Sequence, residues 1–110
     1  MPDLTIKAHD RLPSIAATLV DAAGAPVDIT GSTVTFIMAT ATSGTIKVNA
    51  AAVIVSGTGG QVRYDWLAAD TSTPGSYNAE WQVTFGSGKK QTFPSDGYNT
   101  VTVFADLDGA

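Results

Sequence analysis

"PGSYNAEWQVTF", residues 74–85, decides how this chain folds. From Tyr77 to Phe85 an aromatic or aliphatic side chain stands at every second position (Tyr77, Ala79, Trp81, Val83, Phe85), separated by Asn78, Glu80, Gln82 and Thr84. Successive side chains of a strand point to opposite faces, so the pattern describes a strand with one dry and one wet face. Pro74-Gly75 in front of it is turn chemistry. In immunoglobulin-like sandwiches a tyrosine near the start of strand F ties down a corner through its hydroxyl, two residues before a core cysteine. Here Tyr77 occupies the tyrosine's place and Ala79 the cysteine's, which sends Trp81 and Val83 on into the core.

The same alternation recurs on both sides of this stretch. Leu4, Ile6 and Ala8 alternate with Thr5 and Lys7; Ile15, Ala17 and Leu19 with Ala16 and Thr18; Val34, Phe36 and Met38 with Thr35 and Ile37. Val62, Tyr64 and Trp66 alternate with Gln61, Arg63 and Asp65, and Val101 and Val103 with Thr100 and Thr102. Shorter runs at 45–48, 52–55 and 89–93 complete the set. Between the runs lie Ala23-Gly24-Ala25-Pro26, Ser43-Gly44, Gly57-Thr58-Gly59-Gly60, Gly86-Ser87-Gly88 and Asp96-Gly97, all turn formers. No stretch carries a helical stripe, and Ala68-Ala69-Asp70-Thr71 has room for a single helical turn. Short strands at roughly ten-residue spacing predict an all-β fold, an immunoglobulin-like antiparallel β-sandwich of about seven to nine strands.

Composition sets the outer bounds. A chain of 110 residues fits one domain, spanning 1–110, with enough buried surface for one core. Net charge is −4, and the cations at Lys7, Arg11, Lys47, Arg63, Lys89 and Lys90 are scattered, so no basic stripe is present to neutralise phosphates and no nucleic-acid partner is expected. Cysteine is absent, which removes disulfides, thiolate nucleophiles and thiolate metal sites and suits synthesis in a reducing cytoplasm. The start, Met1-Pro2-Asp3-Leu4-Thr5, has neither the basic opening nor the apolar run of a signal peptide. The longest apolar run, 50–55, is far too short to span a bilayer, so no membrane partner is expected.

Candidates for chemistry are few. His9 is the only histidine; a hydrolase would need it paired with a distant nucleophile and an oxyanion site, and a lone histidine at a strand end reads as a surface residue. Asp106-Leu107-Asp108-Gly109 begins like a calcium loop but lacks the later oxygen ligands. Gly57-Thr58-Gly59-Gly60 lacks the Gly-Lys-Ser/Thr ending of a phosphate loop and leads into a strand, so it reads as a hairpin. Glu80, the only glutamate, sits on the wet face of its strand. No catalytic, cofactor-binding or metal-binding residue is assigned, and no cofactor is expected. The aromatic residues leave one alternative, a carbohydrate-binding or adhesion module, which would need Trp66 and Trp81 exposed together on one face. Because Tyr64, Trp66, Tyr77 and Trp81 fall on the apolar alternation, packing is the expected role.

Four stretches then occur in a recognisable order: "AAGAPVDITGSTVTFIM" (22–38), "GGQVRYDW" (59–66), "TPGSYNAEWQVTF" (73–85) and "QTFPSDGYNTVTV" (91–103). Together they resemble the immunoglobulin-like amino-terminal domain of phage upper baseplate proteins and related tailed-phage virion modules, over about residues 12–104. In that family a G-x-x-V-D-L-T-G-A-T-V-x-F hairpin opens the domain and an F-P-x-x-G-Y-x-x-V-x-V stretch closes it. The resemblance implies a non-enzymatic structural protein of a virion. It would assemble with other virion proteins, in repeated copies of a symmetric particle, as capsid decoration, neck or tail component, or baseplate adaptor. Its structural residues would be Trp66, Tyr77, Trp81, Phe85, Phe93, Pro94, Gly97 and Tyr98. The chain stops at Ala110, so host-adhesion parts are not expected in it, and the ends, 1–3 and 105–110, are expected to be flexible or to touch partners.

Overall fold

In the computed structural model of the chain, which describes residues 4–93, 99–105 and 107, the stretch that opens with Pro74-Gly75 becomes the longest strand. In chain order the strands are β1 (Leu4–Lys7), β2 (Ile15–Thr18), β3 (Thr33–Thr40), β4 (Ile46–Ala51), β5 (Val53–Ser56), β6 (Gln61–Tyr64), β7 (Gly75–Thr84), β8 (Lys90–Phe93) and β9 (Asn99–Phe104). A single 3-10 turn, Ala68–Thr71, lies between β6 and β7. The architecture is all-β, as the alternation predicts: two sheets packed as a sandwich.

The large sheet runs β1-β9-β7-β3-β4, and the small one β2-β6-β5. β7 is the axis of the large sheet. It pairs with β3 along its length, from Tyr77 opposite Thr40 to Thr84 opposite Thr33. On its other side it is shared: β9 pairs with Gly75–Ala79 and β8 with Trp81–Thr84. Glu80 falls between those two stretches. All pairs are antiparallel except β1 with β9, which runs parallel from Leu4 opposite Val101 to Lys7 opposite Phe104. Ala52 is the single residue by which the chain leaves β4 in the large sheet for β5 in the small one, and its amide donates to the Val34 carbonyl at 2.8 Å.

The inward rows of both sheets form one core. Val34, Phe36 and Met38 of β3 meet Ala79, Trp81 and Val83 of β7, with Ile15, Ala17, Val62, Tyr64 and Trp66 arriving from the small-sheet side. Phe36 joins the two layers. Its ring stacks on Tyr64 at 4.8 Å, tilts against Trp81 at 4.8 Å and meets Trp66 edge-on at 5.7 Å. Aromatic pairs at such separations and angles contribute about 0.5–1.5 kcal/mol each beyond the area they bury.

The turns are held by local chemistry. Tyr77, buried at the start of β7, donates its hydroxyl to the Thr73 carbonyl at 2.6 Å, four residues upstream, which is the corner that Pro74-Gly75-Ser76-Tyr77 announces. No aspartate is needed there. The nearby Asp70 serves a different tyrosine: it accepts from the Tyr64 hydroxyl at 2.5 Å and the Leu67 amide at 2.9 Å, tying the 3-10 turn to the end of β6. Asp28 accepts from the Thr30 amide at 2.9 Å and turns the chain towards β3. Gly60 adopts a left-handed backbone, φ 64°, where a Cβ would stand 2.7 Å from the carbonyl oxygens of both Leu19 and Val27.

Candidate functional site

The residues singled out from the sequence separate into two sets. Trp66 (1% exposed) and Trp81 (0%) lie in the core with Tyr77 and Phe93, whereas Phe85 is half-buried against its rim. Pro94, Gly97 and Tyr98, and Asp106 of the calcium-like stretch, lie outside the described residues. With both indoles inside, the exposed aromatic platform that a sugar-binding module would need from Trp66 and Trp81 does not exist. The Trp66 Nε1 is turned inward too, donating to the Pro13 carbonyl at 3.1 Å. His9 is exposed in a left-handed backbone, φ 67°, and its amide donates to the Thr71 carbonyl at 3.0 Å. Among the described residues no three histidine, aspartate or glutamate side chains cluster as a metal would require.

The outward side of the large sheet offers a different kind of surface. Alternation on β3 and β7 puts Thr33, Thr35, Ile37 and Ala39 beside Asn78, Glu80, Gln82 and Thr84, extended by Asn49 and Ala51 of β4, Thr92 of β8 and Thr100 and Thr102 of β9. Hydroxyl, amide and methyl groups dominate it. Short β-branched side chains have little rotamer freedom left to lose, and a surface centre depleted of charge is the compositional mark of a contact face. Glu80 is the one charge in its middle. Towards the β3–β4 hairpin the face dips into a groove of about 480 Å³ lined by Ile37, Ala39, Thr40, Ala41, Gly44, Ile46, Asn78 and Glu80. Its lip is braced by hydroxyls: Thr40 Oγ1 lies 2.6 Å from Ser43 Oγ and accepts the Thr45 amide at 3.0 Å. Ile46, 56% exposed, leaves the lip apolar.

Several titratable groups elsewhere are held by the fold. Hydrogen bonds from Ser14, at 2.7 Å, and from Arg63, at 2.9 Å, hold the exposed Asp65 carboxyl below its ordinary range. Burial, reinforced by the Asp70 carboxylate, raises the Tyr64 phenol well above its ordinary value, and burial raises that of Tyr77. These shifts follow from packing and capping.

Comparison with known protein families matches residues 5–99 to the BppU N-terminal domain. The chain belongs to that family. Membership makes it a phage baseplate structural domain, with a place in the virion and neighbours among other virion proteins. No curated protein matches the chain. Among solved structures it is similar to the crystal structure of CopC from Methylosinus trichosporium OB3b, with a TM-score of 0.53 and 15% identity over 96% of this chain and 86% of that one. At such identity the likeness speaks of fold alone. No helix of the described residues is long and apolar enough to cross a membrane.

The groove was hidden from sequence reasoning in one respect. Glu80 and the 40–46 hairpin are far apart in the chain, and only the pairing of Ile37 with Glu80 across β3 and β7 brings them to one groove. The available signal was the alternation itself, which places Glu80 on the wet side.

Proposed function

We propose that this BppU N-terminal domain is a non-enzymatic assembly unit, a single sandwich whose outward large-sheet face docks against other proteins of the particle, in repeated copies. The observation behind this reading is the composition of that face: a broad, nearly uncharged array of threonine, asparagine and glutamine methyl, hydroxyl and amide groups with a single carboxylate at its centre. The core aromatics fix the shape of the face and take no part in binding. Neither cofactor nor nucleic acid enters this reading.

Quantitative mass spectrometry of purified particles tests it. The chain is expected at fixed stoichiometry, a dozen or fewer copies for a baseplate or neck position and hundreds for capsid decoration. Its absence from the particle would overturn the reading. Glu80→Ala and Gln82→Ala proteins are expected to fold normally and to be incorporated poorly.

A further inference from the structure

The groove on the large sheet lacks one thing, a positive charge opposite Glu80. Glu80 is half-buried, lines the groove, and has no hydrogen-bond or ion-pair partner among the described residues. Four of the chain's six cations are engaged within the fold. Lys7 lies over the Phe104 ring at 5.9 Å, Arg11 donates to the Trp66 carbonyl at 3.2 Å, Lys47 to Ser72 Oγ at 3.2 Å, and Arg63 pairs with Asp65 at 2.9 Å. Lys89 and Lys90 remain. Both are exposed, neither has such a partner among the described residues, and they sit at the β7–β8 hairpin, where Phe85 and Lys89 close a Gly86-Ser87-Gly88 tip.

We infer that the groove of one copy receives the Lys89-Lys90 hairpin of a second copy of this chain, and this rests on the assembly reading above. Charge decides the occupant. A two-fold contact of groove on groove would set Glu80 against Glu80, and like charges across an interface are costly. A contact offset along the face sets Glu80 against two lysines. Its geometry follows from the sheet: Lys90 pairs with Thr84, four residues along β7 from Glu80, or about 13 Å of strand, and the groove extends from Glu80 the other way, to Thr40 and Gly44. Donor and acceptor therefore lie on one face, Glu80 near its middle and Lys90 towards one end. With both groups on one face, the contact forms either reciprocally about a two-fold axis, each hairpin in the other copy's groove, or head to tail, repeating from copy to copy.

Charge reversal in the full chain tests the inference by sedimentation across a concentration series at low salt. The parent is expected to self-associate. Glu80→Lys alone, and Lys89→Glu with Lys90→Glu, are each expected to weaken association by roughly tenfold or more, without change in the thermal melt. Mixing the two variants is expected to restore association, because each hairpin then meets a groove of opposite sign. A parent that stays monomeric, reversals without effect, or a mixture that fails to associate would each overturn the proposal. If Glu80→Lys is lost from particles while the lysine-reversed chain is incorporated normally, the groove takes a different virion protein. That outcome overturns the copy-to-copy contact and leaves the assembly reading standing.

Discussion

Trp81 shows what a single residue contributes here. Its indole is fully buried against Phe36, and its Nε1 has no hydrogen-bond partner among the described residues, so packing carries its stabilising role there. Trp81→Ala should cost about 3–5 kcal/mol, comparable to the whole stability of many domains this size, and a denaturant melt reads it directly. Glu80→Ala and Gln82→Ala, on the opposite face of the same strand, should each shift the isolated protein by no more than about 0.5 kcal/mol. Tyr77→Phe removes the bond to the Thr73 carbonyl and should cost about 1 kcal/mol. The tyrosines also predict behaviour in alkali. An unfolded tyrosine ionises near 10.0, whereas Tyr64 and Tyr77 are both raised above that value in the fold. The folded state thus holds its phenolic protons more tightly, and this contribution is complete below pH 10 and lost as pH rises beyond it. Unfolding free energy should fall from about pH 10 upward, by at most about 1.4 kcal/mol per pH unit for each tyrosine. The Tyr64→Phe, Tyr77→Phe double variant should show a flatter profile over that range.

At the scale of elements, the turn glycines differ in a way that their spacing in the chain does not reveal. Gly24 and Gly60 both have left-handed backbones, at φ 83° and 64°. A Cβ on Gly24 meets nothing within 4 Å, while one on Gly60 strikes two carbonyl oxygens at 2.7 Å. Gly24→Ala should therefore cost only the ~1–2 kcal/mol of the backbone conformation, and Gly60→Ala clearly more, as a comparison of their melts would record. The strands themselves were readable, because period-two alternation with one buried face is a strong local signal, and Pro-Gly-x-Tyr announced the corner at Tyr77. Pairing across long distances was not. Nothing local marks β1 as the parallel neighbour of β9, since no turn joins them, and nothing in the 88–104 stretch shows that β8 and β9 share one side of β7. Asp70 read as part of a helical turn; that it accepts the Tyr64 hydroxyl depends on where the 3-10 turn lands.

For the whole molecule, the inward and outward faces of the sheets differ sharply in composition. Apolar rows from both sheets are used up in one core around Phe36, and the outward rows of the large sheet, where the proposed contacts lie, stay at the surface. Variants then fall into two groups: inward substitutions should lower stability and incorporation together, and outward ones should lower incorporation while the melt is unchanged. Measuring both for Trp81→Ala and Gln82→Ala separates the groups. An outward variant that unfolds, or an inward one that assembles at full yield and parental stability, would contradict the division.

The parallel pairing of β1 with β9 also governs how the domain responds to tension. Leu4 enters β1 at one end of the pair and Phe104 leaves β9 at the other. Stretching the chain between these points slides the two strands along each other, so their hydrogen bonds are strained together in shear; an antiparallel pair pulled from one end would open bond by bond. A domain loaded in this way resists extension more stiffly than one whose strands are peeled apart. Single-molecule extension between these two points should give a higher rupture force than extension across the β7–β8 hairpin, where the same sheet is peeled.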